Sequence, residues 1–437
     1  MKLIHLIACF LFLANPVLAK KIFNSKSFNL DNGLKVIVIE NKRAAVATQM
    51  IWYKFGSGVE ENTKSGLAHF MEHLMFKGTK EFPKDYYSNF ISRIGGSENA
   101  FTSYDFTAYY QIFPSTEIEK IIEMEADRMK NLILNRKIVE IEKKVILEER
   151  FQRVESDPSS LLDESIKSSL FPNSYYGRPI IGWKKDIKNL NYSDVKKFYK
   201  KFYSPNNAIL VLSGDISLNK AKKLTKKYFG EIKSSGKLNS IKVSDPDLKT
   251  SVIVELNHPD VKQPIWKKLY RVDSYTKSIK NGIAFDLGLK ILAGGTTSIL
   301  YNELVEKKKE FSMVGGFYQG LARESGYAYL YAIPKKNMDI KKINEKITKE
   351  IFKAVEEKIT PELLNIEKKK YFFNSVYGMD GVLKPAEIIG EALTVGLKLN
   401  DLEFWNDNLK DIDVEVVKKE LRKFAESKNF VLGGLKN

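Results

Sequence analysis

The chain has 437 residues, 43% of them hydrophobic, with 26 Gly and 13 Pro, an ordinary globular composition that excludes collagenous, wholly disordered and membrane-embedded classes. Its 71 basic and 54 acidic residues leave a formal charge of +17, but the lysines are scattered along the whole length rather than gathered in an arm, which argues against nucleic-acid binding. No stretch after residue 20 holds the roughly 18 uninterrupted apolar residues of a membrane-spanning helix.

Residues 1–19, MKLIHLIACFLFLANPVLA, read as an export signal: Lys2 is the positive start, Leu6 to Ala14 the apolar stretch, and Val17-Leu18-Ala19 a small-residue cleavage site. Cleavage there predicts a periplasmic or secreted protein beginning at Lys20. Leu6-Ile7-Ala8-Cys9 also has the pattern of a lipoprotein acylation box, but cutting at Cys9 would leave only a few residues upstream, so lipid anchoring is the weaker reading. Cys9 is the single cysteine, so the remainder has no internal disulfide and no thiol to offer a metal.

Leu34 to Ile39 and Ala45 to Lys54 are β-rich runs around the polar turn Glu40 to Arg43, a pattern that predicts a hairpin. Helical periodicity follows over 66–76, 115–131, 137–154 and 192–203, with strands at Tyr109 to Phe113 and Ala208 to Leu212. The polar stretch 233–250 has linker composition, which divides the chain into domains at 20–232 and 251–437. Trp183 through Leu210 aligns without a gap on Trp405 through Leu432, pairing Ile187 with Leu409, Val195 with Val417, Phe202 with Phe424 and Asn207 with Asn429. A repeat of that kind predicts a duplicated domain. The expected class is α+β, two homologous domains, each a mostly antiparallel sheet flanked by helices.

After the signal only three histidines remain, and two of them, His69 and His73, stand four apart in GLAHFMEHLMFKGT with Glu72 between. On a helix these three share one face, opposite Leu67, Phe70, Met71 and Leu74. A His pair at i, i+4 suits Zn²⁺, which also needs a third protein ligand and an open position, and Glu72 would serve as base toward a water there. The segment Lys137 to Val154 offers Glu140, Glu142, Glu148 and Glu149 as third ligand. Glu142 and Glu149 lie seven apart on one face, near Val145 and Ile146, where a carboxylate pair is costly unless it meets a cation. Spacing alone does not choose among the four. His258, in NHPDVKQP, has no partner at ligand spacing.

With these residues in place, the sequence resembles the pitrilysin family of inverted-motif zinc peptidases, and within it the bacterial relatives of the processing-peptidase β subunit. The resemblance runs along nearly the whole chain after the signal, through Gly66 to Thr79, Gly95-Gly96 with Asn99-Ala100-Phe101-Thr102, Asp105 to Tyr110, Glu142-x6-Glu149 and Tyr203 to Gly214. It implies a half-clamshell chain in which His69, His73 and Glu149 are zinc ligands, Glu72 is the general base and Glu142 supports the ligand helix. It further implies that Asn99, Ala100, Phe101 and Thr102 form an exposed strand edge where a peptide backbone adds as a further strand. One departure concerns the second half, where the family carries an Arg and a Tyr near the zinc. The corresponding run ELVEKKKEFS has Val305 and Ser312 there, and the stretch Leu287 to Thr296 carries no His. A homologous partner subunit bearing the Arg/Tyr pair is therefore expected, completing an exported zinc endopeptidase that acts on peptides or unfolded protein segments. A non-catalytic scaffold subunit of the same fold is the competing expectation.

Overall fold

The runs KVIVIE, VATQMIWY and AILVLSG are apolar on both faces of a strand, which suits the centre of a sheet covered on both sides. The computed structural model describes residues 21–236, 244–336 and 338–437, and it places all three runs at the centre of the first of two sheets. The expected export signal and Cys9 lie outside the described residues, as does the middle of the expected linker.

The first sheet contains β1 (Lys26–Asn29), β2 (Lys35–Glu40), β3 (Val46–Tyr53), β4 (Ser97–Thr102), β5 (Thr107–Pro114) and β6 (Ala208–Gly214), in the spatial order β1-β2-β6-β3-β5-β4. The predicted hairpin is thus wrong in its pairing. β6 lies between β2 and β3, parallel to the first and antiparallel to the second. Residues 41–45 are long enough to cross two strand spacings, about 10 Å, and the largely apolar β6 gains burial on both faces by taking the middle position.

The second sheet contains β7 (Val252–Asn257), β8 (Ile265–Asp273), β9 (Phe311–Gln319), β10 (Ser325–Pro334) and β11 (Phe430–Lys436), in the order β7-β11-β8-β10-β9. It repeats the order of β2 to β6, and again a single pair, β7 with β11, is parallel. The repeat in the sequence coincides with the Tyr192–Phe202 helix and β6 in one half, and with the Val414–Glu426 helix and β11 in the other. Asn191 and Asp413 cap the two helices at equivalent positions.

The halves exchange helices. The Pro158–Leu170 helix packs on β7, β8 and β11, and the Leu383–Val395 helix packs on β3 and β6. Both contacts close on a glycine: a Cβ on Gly433 would lie 2.1 Å from Cδ1 of Ile166, and one on Gly390 would lie 1.9 Å from Nε1 of the buried Trp52. Glu403 adds a tether, accepting the backbone N–H groups of Phe23, Asn24 and Ser25 at 2.9, 3.1 and 2.7 Å. Trp52 has no room to retreat, so Gly390→Ala is expected to lower unfolding free energy by about 1–3 kcal/mol. Urea denaturation measures this, and a midpoint equal to that of the parent would show that the helix can slide aside.

Candidate metal centre

The helix that carries the two histidines, Leu67–Leu74, starts from a fixed point. Gly66 has φ of 89°, and a Cβ there would lie 2.5 Å from the Ile181 carbonyl oxygen, so a glycine is needed on both counts. Glu60, buried beneath it, accepts the N–H groups of Gly66 and Ala68 at 3.0 and 2.8 Å. Burial pushes its carboxyl up to about 8. Leu67, Phe70, Met71 and Leu74 face the core as predicted, which leaves His69, Glu72 and His73 on the opposite, half-buried face.

The opposing carboxylates come from the Arg136–Arg150 helix, capped by the Asn135 side chain on the Ile138 N–H. Glu140 and Glu148 are exposed and bond Lys143 and Gln152, whereas Glu142 and Glu149 point toward the histidines. Val145, expected beside them, is on the outer face and 47% exposed. Immediately after Glu149 the helix widens into a π-turn over Phe151–Glu155, a local form frequent at functional sites.

Glu149 Oε2 lies 3.3 Å from His73 Nε2 and 3.7 Å from His69 Nε2, and it is buried with no hydrogen-bond partner among the described residues. One ligand atom from each of these residues falls within 4.8 Å of the others. Two ligands held tetrahedrally at about 2.0–2.2 Å from Zn²⁺ are themselves about 3.3–3.5 Å apart, so the spacing fits the ion. The donor chemistry fits as well. Glu142 Oε1 takes the Nδ1–H of His73 at 2.9 Å, which turns Nε2 toward Glu149. Lys77 holds the other oxygen of Glu142 at 2.6 Å, and Arg153 holds Glu149 Oε1 at 3.0 Å.

The charges follow from these contacts. Burial, followed by the charge of His73, depresses His69 to about 4. Burial works the same way on His73, but the carboxylates of Glu142 and Glu149 outweigh it and raise the ring to about 9. Glu149 is held below the usual carboxylate range, first by the His73 ring, and Glu142 is lowered too as His73 and Lys77 overcome its burial. Glu72 moves the other way: burial raises it, opposed by a 2.5 Å hydrogen bond from the Thr102 hydroxyl to Oε2.

Thr102 ends β4, and among the described residues β4 is the edge of its sheet, paired only with β5. The Ser103 N–H donates to Phe106 O, so by the two-residue period the N–H groups of Phe101 and Asn99 face β5. Those of Glu98, Ala100 and Thr102 face the open side. Among them, the Ala100 N–H is occupied by its own neighbour, Oδ1 of Asn99, at 2.8 Å.

Other residues have structural roles that the sequence did not disclose. Asp105, in the β4–β5 turn, accepts the hydroxyls of Tyr175 and Tyr176 at 3.0 and 2.8 Å and the backbone N–H of Arg323 at 2.9 Å. The Tyr175 to Pro179 turn is therefore a brace for the β4 hairpin. Arg323 donates to the carbonyls of Lys54, Asp105 and Thr394 and is committed to joining the halves. Val305 is buried in the second half and Ser312 bonds the Ile333 carbonyl. His258 lies beside Asp260, apart from the cluster.

Fold and site together define the class, peptidase family M16. Residues 35–184 match the insulinase family, peptidase family M16, and residues 189–371 match the peptidase M16 inactive domain. The chain belongs to this family, and the resemblance read from its motifs holds. It is 30% identical over 419 residues to the zinc protease PqqE of Helicobacter pylori, covering 92% of this chain and 91% of that protein. It is also 30% identical over 214 residues to the mitochondrial-processing peptidase subunit beta of Blastocladiella emersonii, covering 49% of this chain and 46% of that one. Among solved structures, a protease from Helicobacter pylori superposes with a TM-score of 0.88 at 26% identity, covering 94% of this chain and 99% of that chain. Among the described residues, no helix is long and apolar enough to cross a membrane.

Proposed function

We propose that the protein is an exported zinc endopeptidase that hydrolyses peptides or unfolded protein segments. The observation that carries this reading is the convergence of His69 Nε2, His73 Nε2 and the unpartnered Glu149 Oε2 at separations suited to one divalent ion. Zinc held there supplies a Lewis acid that polarises a scissile carbonyl and makes a water easier to deprotonate.

The chain's own residues supply the rest. Glu72, with its affinity for protons raised by burial, accepts the proton from the attacking water and returns it to the leaving amine. Thr102 fixes the direction of that carboxylate. A peptide lies along the open edge of β4, bonding the main chain at Glu98, Ala100 and Thr102, which requires the Asn99 amide to release the Ala100 N–H. Main-chain pairing demands little sequence from the substrate. With Val305, Ser312 and Arg323 all committed elsewhere, a homologous partner subunit brings the Arg and Tyr that steady the oxyanion. The relative named a subunit of the processing peptidase supports this pairing. Export rests on residues 1–19.

Zinc content of the purified chain and cleavage of a quenched peptide, before and after chelation, test the reading. A zinc-free, inactive chain would favour the scaffold role. Without metal at pH 7, His73 carries the proton and His69 does not. Loading is therefore expected to expel about one proton, and affinity should rise about tenfold per pH unit until about pH 9. Calorimetry in buffers of different ionisation enthalpy counts that proton, and a count of zero would show that His73 is already neutral before the ion binds. Co-purification identifies the partner, and full activity from this chain alone would remove the need for one.

A further inference from the structure

A cavity of about 350 Å³ opens at the end of β4, between the two halves. Phe101 and Ser103 line it, and they flank Thr102, whose hydroxyl touches Glu72. The cavity therefore begins about one residue, some 3.8 Å of chain, from the residue that contacts the base. Its volume is at the lower end of the range that holds small ligands, enough for a side chain but not for a second strand.

The opposite wall carries Lys167, on the exchanged helix Pro158–Leu170. Its ammonium lies 4.5 Å from the ring centroid of Tyr327 and 5.0 Å from that of Tyr104, held between two aromatic faces. Among the described residues it has no ion pair and no hydrogen-bond acceptor. Asp105, which also lines the cavity, is engaged by two tyrosine hydroxyls and the Arg323 N–H. Glu391, on the other exchanged helix, completes the wall, with no ion pair among the described residues.

We propose that this cavity is a side-chain subsite of the peptide groove, taking a Glu or Asp side chain of a peptide laid on β4, with Lys167 as the cation that selects it. Burial depresses Lys167 to about 8, so its charged form gains from an incoming anion. Burial also raises Glu391 to about 7, which leaves its carboxyl able to donate to that anion near neutral pH. The chain's +17 charge acts in the same direction, concentrating acidic peptides near the groove.

The inference rests on the peptidase reading, and the test separates the two. Matched quenched peptides carry Glu, Gln or Lys at one position, scanned over several positions on either side of the cleavage point. Binding of the same peptides to the zinc-loaded Glu72→Gln protein gives a readout that needs no turnover. At one position Glu is expected to exceed Gln on the order of tenfold to a hundredfold in kcat/KM and in affinity. Lys167→Met should bring that ratio close to one, Lys167→Arg should keep it, and Lys167→Glu should favour the Lys peptide. Loss of fold in any variant would show in its thermal melt, and the conservative Arg variant then decides. A ratio near one at every position in the parent protein, or a preference that survives Lys167→Met, would overturn the subsite. Parent protein that binds with the expected preference but cleaves nothing, even together with its co-purified partner subunit, would overturn the peptidase reading alone.

Discussion

Glu72→Gln is expected to lower kcat for peptide cleavage by about 10²–10⁴-fold while zinc stays bound. The amide keeps the size of the carboxylate and can still accept the Thr102 hydroxyl, so the local packing survives. It cannot take a proton at any working pH. The carboxylate stands on the same helical face as His69 and His73, but the triad is composed without it. The measurement pairs zinc content with single-turnover cleavage of a quenched peptide. Undiminished turnover with zinc still in place would show that another group moves the proton.

Glu142→Gln acts through a different route and separates positioning from chemistry. Glu142 reaches His73 on the nitrogen that faces away from Glu149, and Lys77 lies on its other side. The amide oxygen can still accept the Nδ1–H of His73, but without the negative charge it no longer raises the basicity of the imidazole. Zinc affinity should fall about 10–100-fold, with kcat recovered at saturating zinc. The Lys77 ammonium, left without its carboxylate, adds to the penalty. Competition with a chromophoric chelator gives the affinity, and a variant that is inactive even when saturated with zinc would assign Glu142 a part in the chemical step.

The sequence disclosed the site better than the connections around it. The spacing of His69, Glu72 and His73 on one helical face is a local property, and so is the seven-residue separation of Glu142 and Glu149. Both are fixed by the geometry of a single helix, and both survive into the fold unchanged. Which of four glutamates turns inward is a tertiary matter, and periodicity left it open until the structure exposed Glu140 and Glu148. β2 and β3 were legible as strands, but their separation by β6 was not, because a short polar turn looks the same whether it joins neighbours or steps over one. Tyr175, Tyr176 and Arg323 stand in no pattern that marks them in the sequence. Their partner Asp105 is 70 to 218 residues away, beyond the reach of any local pattern. Lys167 carried no signal at all, since one more lysine in a lysine-rich chain is unremarkable until its surroundings are known.

Because each half lends the other a strut, cutting the backbone between residues 232 and 251 should not release two free pieces. The nicked fragments would remain clasped, and either fragment made alone would present a bare hydrophobic wall where its borrowed helix belongs. The duplication has thus become obligatory, and neither copy is any longer a self-sufficient unit.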